Sequence, residues 1–174
     1  MMVPVVSIVG KSNSGKTTLI EKLIPELKER GYRVGTIKHC GHDHEFDREG
    51  TDSWRHVRVG SEATLVVSPS RLALFKGWDS NEELDRFLDF LFDGYDLVLM
   101  EGFKSAPGPK IEVFDPTKHS IPLCSAGDDL VALVTDERLP IEVPTFPRTA
   151  LVELTDFIEE RFLACTSQTW RPSS

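Results

Sequence analysis

Apolar positions along this chain alternate between short continuous runs and helically spaced stripes, and the alternation predicts an α/β domain. Val3 to Val9 is almost wholly apolar and β-branched, which reads as a strand buried on both faces. From Thr18 the period changes. Leu19, Ile20, Leu23 and Ile24 fall on one face of a helix expected to end near Arg30, with Gly31 as the residue after its cap. Arg33 to Lys38 is the next strand, and strand, helix and strand in this order make a parallel pair. A short helix is expected from a cap at Asp52 or Ser53 to Val59. Ala63 to Ser68 and Arg71 to Lys76, joined by Pro69-Ser70, read as a β-hairpin. Asn81 to Phe92 carries Leu84, Phe87, Leu88 and Leu91 at helical spacing behind a Ser80 cap, and feeds the strand Leu97 to Met100 in a second crossover. Lys110 to Phe114 and Leu130 to Thr135 are further strands. Thr149 to Ala164 is a closing helix burying Leu151, Leu154, Phe157, Ile158 and Phe162.

The turn between the first strand and the first helix carries the chemistry. Gly10-Lys11-Ser12-Asn13-Ser14-Gly15-Lys16-Thr17 matches G-x-x-x-x-G-K-[ST] without a mismatch and stands between a strand and a helix, where that motif must stand. Gly10 and Gly15 let the chain curl so that several backbone N–H groups, with the helix N-terminus at Thr17 and Thr18, converge on an anion. Lys16 is placed to reach the β and γ phosphates of a nucleotide, and the Thr17 hydroxyl to ligate the Mg²⁺ that bridges them. The fold class that follows is a P-loop NTPase three-layer α/β fold, with a mainly parallel central sheet and a β-hairpin extension.

Direction selects the acid that serves this loop. Asp96-Leu97-Val98-Leu99-Met100-Glu101-Gly102 offers a carboxylate at each end of an apolar strand. Ligands of open parallel sheets lie beyond the carboxyl ends of the strands, so Glu101 faces the phosphates and Asp96 lies about 16 Å away. Glu101 is therefore the candidate magnesium-side and water-orienting acid, and Gly102 lets the backbone pass close to the phosphates. After the second strand, Lys38-His39-Cys40-Gly41-His42-Asp43-His44-Glu45-Phe46-Asp47 gathers three of the five histidines beside a cysteine and acids. Two functional readings stand: contact of Lys38 and His39 with phosphate or substrate, or a transition-metal site, although the spacing fits no compact four-ligand zinc pattern. Asp47-Arg48-Glu49-Gly50 has the D-x-x-G form of a nucleotide switch, which makes Asp47 a further candidate for catalysis and for a magnesium-bound water.

Composition narrows the partners. The chain has 174 residues, a net charge of −8 and a pI near 5.1, which argues against a broad nucleic-acid or anionic-membrane surface. Residues 1–165 are expected to form a single nucleotide-binding domain, with 166–174 as a flexible tail. Cys40, Cys124 and Cys165 lie far apart without a C-x-x-C pair, and the N-terminus has no basic leader, so a cytoplasmic protein without disulfides is expected.

Taken together, Gly10 to Thr18, Thr36-Ile37-Lys38-His39, Asp47-x-x-Gly50-x-Asp52-Ser53 and Asp96 to Lys104 resemble the molybdopterin-guanine dinucleotide biosynthesis protein B family of P-loop NTPases. The resemblance covers about residues 3 to 104. It implies GTP binding, Mg²⁺, weak hydrolysis, a homodimer and an accessory role in attaching GMP to molybdopterin. The nucleotidyl transfer then belongs to a partner guanylyltransferase, MobA. No N-K-x-D guanine motif is present, and Asp136, after the strand ending at Thr135, is the nearest substitute as an acceptor for guanine. Lys11 occupies the place of the second lysine in loops similar to those of the dimeric septum-site ATPases, where that residue reaches a phosphate across the dimer. Leu65, Val67, Leu72 and Leu74, with Val66 and Phe75 on the other side, give the hairpin two apolar faces for a second chain to cover. Two other functions fit the loop: a metallochaperone-type GTPase using His39 to His44, and a P-loop kinase for a small metabolite. For the kinase, Arg48, Arg55 and Arg58 are the nearby arginines, and no lid-like insertion is evident.

Overall fold

Strand β1 (Val5–Val9) is buried along nearly its whole length because it runs through the middle of a sheet covered on both faces. The computed structural model of the chain describes residues 3–78, 80–124 and 128–164, and the tail expected at 166–174 lies outside the described residues. After β1 come α1 (Lys16–Glu29), β2 (Val34–Lys38), α2 (Asp52–Arg58), the hairpin β3 (Ala63–Val67) and β4 (Leu72–Lys76), and α3 (Asn81–Leu91). β5 (Leu97–Glu101), β6 (Lys110–Val113), β7 (Leu130–Val134), β8 (Thr145–Phe146) and α4 (Leu151–Ile158) follow, and a π-helical turn, Glu159–Leu163, extends α4.

Two compact units emerge, one from residues 1–41 with 92–174 and one from His42 to Leu91. In the first, six parallel strands lie in the order β2-β5-β1-β6-β7-β8. Connections leave β1 toward β2 on one side and reach β6 on the other, so the chain reverses direction around β1. That is where open α/β sheets form their ligand crevice. All six carboxyl ends lie along one edge, and register places Ile8 and Lys38 beside Glu101. Leu19, Ile20, Leu23 and Leu27 are the buried stripe of α1, while Leu154, Ile158 and Leu163 come from the closing helix. Each such leucine contributes about 2 kcal/mol by leaving water. Arg30 ties the two helices by donating to Glu26, Asp156 and Glu159, with the Tyr32 hydroxyl also on Glu159 at 2.7 Å. Burial and the Glu159 carboxylate push the Tyr32 phenol up to about 12.

The hairpin is antiparallel as expected, closed by Ser68 N–H on the Arg71 carbonyl at 2.8 Å. Among the described residues it pairs only with itself, so the second parallel crossover runs from β2 to β5 and not from the hairpin. The helix α2 is capped by Thr51, whose hydroxyl accepts from Trp54 N–H, and not by Asp52 or Ser53. Ser80 does cap α3. The stripe expected to be buried on α3 is only half-buried at Leu84 and Leu88, and Phe87 and Leu91 are exposed. β8 is not expected from the sequence, since two residues are too few to make a pattern. The closing helix is shorter at its start than Thr149 and loosens to π geometry after Ile158.

Candidate functional site

Backbone geometry forms the anion cradle between β1 and α1. Gly10 has φ 144°, and a Cβ there would fall 2.4 Å from the Val113 carbonyl oxygen, so β6 leaves room for no other residue. Lys16 turns back over the loop, donating to the carbonyls of Gly10 and Lys11 at 2.9 Å each. Its ammonium thus spans the mouth of the cradle. Burial lowers the Lys16 pKa, the Glu101 carboxylate opposes that, and nearby Lys38 adds to it.

Glu101 closes the other side. One carboxylate oxygen, Oε1, accepts from the Thr17 hydroxyl at 2.8 Å and from the Lys38 ammonium in a short ion pair. Burial alone would push this carboxyl up, but the two hydrogen bonds and the charges of Lys38 and Lys16 outweigh it and hold it below the ordinary range. Asp96 stands at the opposite end of β5, accepting from Arg33 N–H. Between α1 and β5 opens a cleft of about 710 Å³, bordered by Ser12, Asn13, Gly15 to Thr18, Lys38, Glu101 and Lys118, large enough for a nucleoside triphosphate. The Thr17 hydroxyl and Glu101 carboxylate are hard oxygen donors at hydrogen-bonding distance, a donor set that suits Mg²⁺.

Three residues not expected from the sequence brace the loop through its carbonyls. Lys118 Nζ donates to the Asn13 carbonyl at 2.9 Å, and His119 Nε2 lies 3.0 Å from the Ser12 carbonyl. Arg148 Nη2 donates to the carbonyls of Ser14 and Phe114, each at 3.0 Å. Asp115 sits between the two cations, 3.2 Å from Lys118 and 3.6 Å from Arg148. Its carboxyl is held down at about 2, first by the Thr117 hydroxyl and then by Lys118, the Thr117 N–H and Arg148, against burial. The rule that ligands gather at carboxyl ends would have flagged Asp115 to His119 after β6. Arg148 follows a strand too short to be read.

The other expected residues divide. Ser14 is buried, its N–H bonded to the Lys11 carbonyl and its carbonyl to Arg148, so its side chain does not line the cleft. Lys11 is half-buried and offers its carbonyl to Lys16. His39 lies against Phe103 beside Gly102, at the ends of β2 and β5. Asp136 follows β7, its Oδ1 accepting Arg148 N–H at 3.0 Å while the side chain stays exposed. Asp47 belongs to the second unit. Hydrogen bonds from Ser53, Arg48 N–H and Thr51, the first the largest, hold its carboxyl below the usual range against burial. Among the described residues no group of three or more His, Cys, Asp or Glu side chains is placed to hold a metal ion, which leaves the reading of His39 to His44 as a metal site without support. No helix among them is long and apolar enough to cross a membrane.

A parallel α/β sheet with this cradle at its reversal point defines the P-loop NTPase class of α/β fold. Within that class, the profile described as "Molybdopterin guanine dinucleotide synthesis protein B" matches residues 5–136. The chain belongs to this family, MobB, and its place is in the biosynthesis of molybdopterin guanine dinucleotide. It is 39% identical to the molybdopterin-guanine dinucleotide biosynthesis adapter protein of Haemophilus influenzae, covering 90% of this chain and 88% of that one. The adapter protein of Escherichia coli is 37% identical over 91% of this chain and 93% of its own. The crystal structure of Bacillus subtilis MobB superposes with a TM-score of 0.69 at 27% identity, covering 92% of this chain and 99% of that one.

Proposed function

We propose that the chain binds GTP with Mg²⁺ and serves as the adapter that presents it, or the pterin, to the guanylyltransferase MobA, hydrolysing GTP only slowly. The observation that carries this reading is Glu101 at the edge of the cradle, joined to Thr17 and Lys38 through one oxygen. Gly10, Lys11, Gly15, Lys16 and the α1 N-terminus would hold the phosphates, and Thr17 with Glu101 the metal side. When bound, Mg²⁺ neutralises phosphate charge. A carboxylate held below its normal pKa and already engaged by two donors is a poor proton acceptor for water, which favours binding over turnover. Asp136, exposed at the end of β7, is the acceptor proposed for guanine.

Assembly as a homodimer belongs to the same proposal. Between His42 and Leu91 no hydrophobic side chain is fully buried among the described residues, while Leu65, Val67, Leu72, Trp78 and Phe90 are exposed. So much apolar surface is costly in water, and a second copy pairing on the hairpin would cover it. The test of function is twofold. Fluorescent GTP in Mg²⁺ should bind and be displaced by GTP far better than by ATP. Added to MobA with molybdopterin, the chain should raise dinucleotide formation, and Lys16→Ala should not. Equal displacement by ATP, or full stimulation by Lys16→Ala, would overturn the proposal.

A further inference from the structure

Beyond Glu101 the backbone takes a path that an ordinary strand end avoids. Gly102 has φ 87° and Phe103 has φ 58°, both in the left-handed region, which a bulky residue such as Phe103 enters only at a cost. A Cβ on Gly102 would approach the His39 carbonyl oxygen to 3.3 Å, and His39 N–H donates to the Glu101 carbonyl at 3.0 Å. These restraints lay the Phe103 ring flat against the His39 imidazole, with centroids 4.1 Å apart and planes 3° from parallel. Phe103 is half-buried and His39 exposed, so the pair forms a supported aromatic surface. Lys38 precedes the first ring and is held on Glu101, and Lys104 follows the second, its Nζ donating to the Leu123 carbonyl at 2.9 Å.

We propose that His39, backed by Phe103, is a stacking platform for a flat heteroaromatic ring. A fused heteroaromatic ring stacks on such a face irrespective of its edge groups. On the nucleotide placement proposed above, the ring on this platform is not the nucleotide's own base. Lys16, Thr17 and Glu101 mark the terminal-phosphate end of the cleft. The platform extends from that end at β2 and β5, whereas Asp136 and Arg148 follow β7 and β8 on the far side of β1. A second reactant meeting the nucleotide's phosphates belongs there. That the ring is a pterin rests on the function proposed above, and the platform does not.

Neopterin monophosphate, which is fluorescent, is titrated into the full chain with and without a non-hydrolysable GTP analogue and Mg²⁺. Stacking should quench the pterin. His39→Ala should weaken binding about tenfold or more, and His39→Phe, which keeps the aromatic face, should restore most of it. Unchanged thermal melting in His39→Ala shows that the fold persists. The His39 Cε1 proton should also move upfield in NMR when the ring stacks on it. Absence of quenching in a wild-type chain that binds the GTP analogue would overturn the platform and leave the proposed function standing. Equal quenching in wild type and His39→Ala would overturn it as well. Failure to bind the GTP analogue, with quenching retained, would overturn the function and not the platform.

Discussion

Glu101→Gln separates a metal-side carboxylate from a structural one because its effect on nucleotide affinity should change sign with Mg²⁺. The side chain sits within hydrogen-bonding distance of Thr17 and faces the charge of Lys16. A carboxylate about 5 Å from a phosphate oxygen at an effective dielectric near 20 repels it by about 3 kcal/mol. Lys38, whose ammonium lies on the same oxygen, remains in the variant, so its attraction for phosphate is common to both proteins and drops out of the difference. Removing the charge should therefore tighten metal-free GTP binding by about 3 kcal/mol, roughly 100-fold. With Mg²⁺ present the same change removes an anionic partner of the ion's shell and should weaken binding about 10- to 100-fold. Glutamine keeps an acceptor for Thr17, so stability should shift by about 1 kcal/mol or less. Anisotropy of a fluorescent GTP analogue, titrated once in EDTA and once in excess Mg²⁺, reads both affinities. Affinity moving in the same direction under both conditions would refute the placement of Glu101 on the metal side.

Arg148→Ala leaves the Ser14 and Phe114 carbonyls without a donor; it should cost about 2 kcal/mol of stability in denaturant titration and weaken GTP binding, with Arg148→Lys recovering part of both. Unaltered stability and affinity would show that the loop holds its shape unaided. Asp115 has a folded pKa near 2, below its unfolded value, so its contribution is present above about pH 4 and lost as pH falls toward 2. Asp115→Asn should flatten the acid limb of a thermal-melting series over that window, and an unchanged limb would contradict the assignment. On the hairpin, the double change Leu65→Glu and Leu72→Glu should convert a dimer to monomers in sedimentation at micromolar concentration, each leucine being worth about 2 kcal/mol when covered. A wild-type chain that sediments as a monomer would remove the basis for that interface.

Local features were legible because their causes are local. A strand–glycine–helix order fixes the cradle, since only glycine tolerates the backbone path at Gly10, and an apolar strand with a single direction puts Glu101 rather than Asp96 at the ligand edge. By contrast, the period of α3 promised a buried face that the chain by itself does not supply, because a periodic stripe states what would be buried and not what covers it.

The class of fold, the phosphate cradle and the acid beside it follow from residues close in the chain, because strand and helix periods and the glycine spacing act over a few neighbours. Which distant side chains support that cradle follows from the packing of the sheet. Arg148 reaches Ser14 across 134 residues of chain, and Lys118 reaches Asn13 across 105, through strands laid side by side in the order β1-β6-β7-β8. The stack of His39 on Phe103 likewise exists because β2 and β5, far apart in the chain, are adjacent in the sheet. Such contacts leave no periodic trace in sequence, since strand order is set by packing over the whole core.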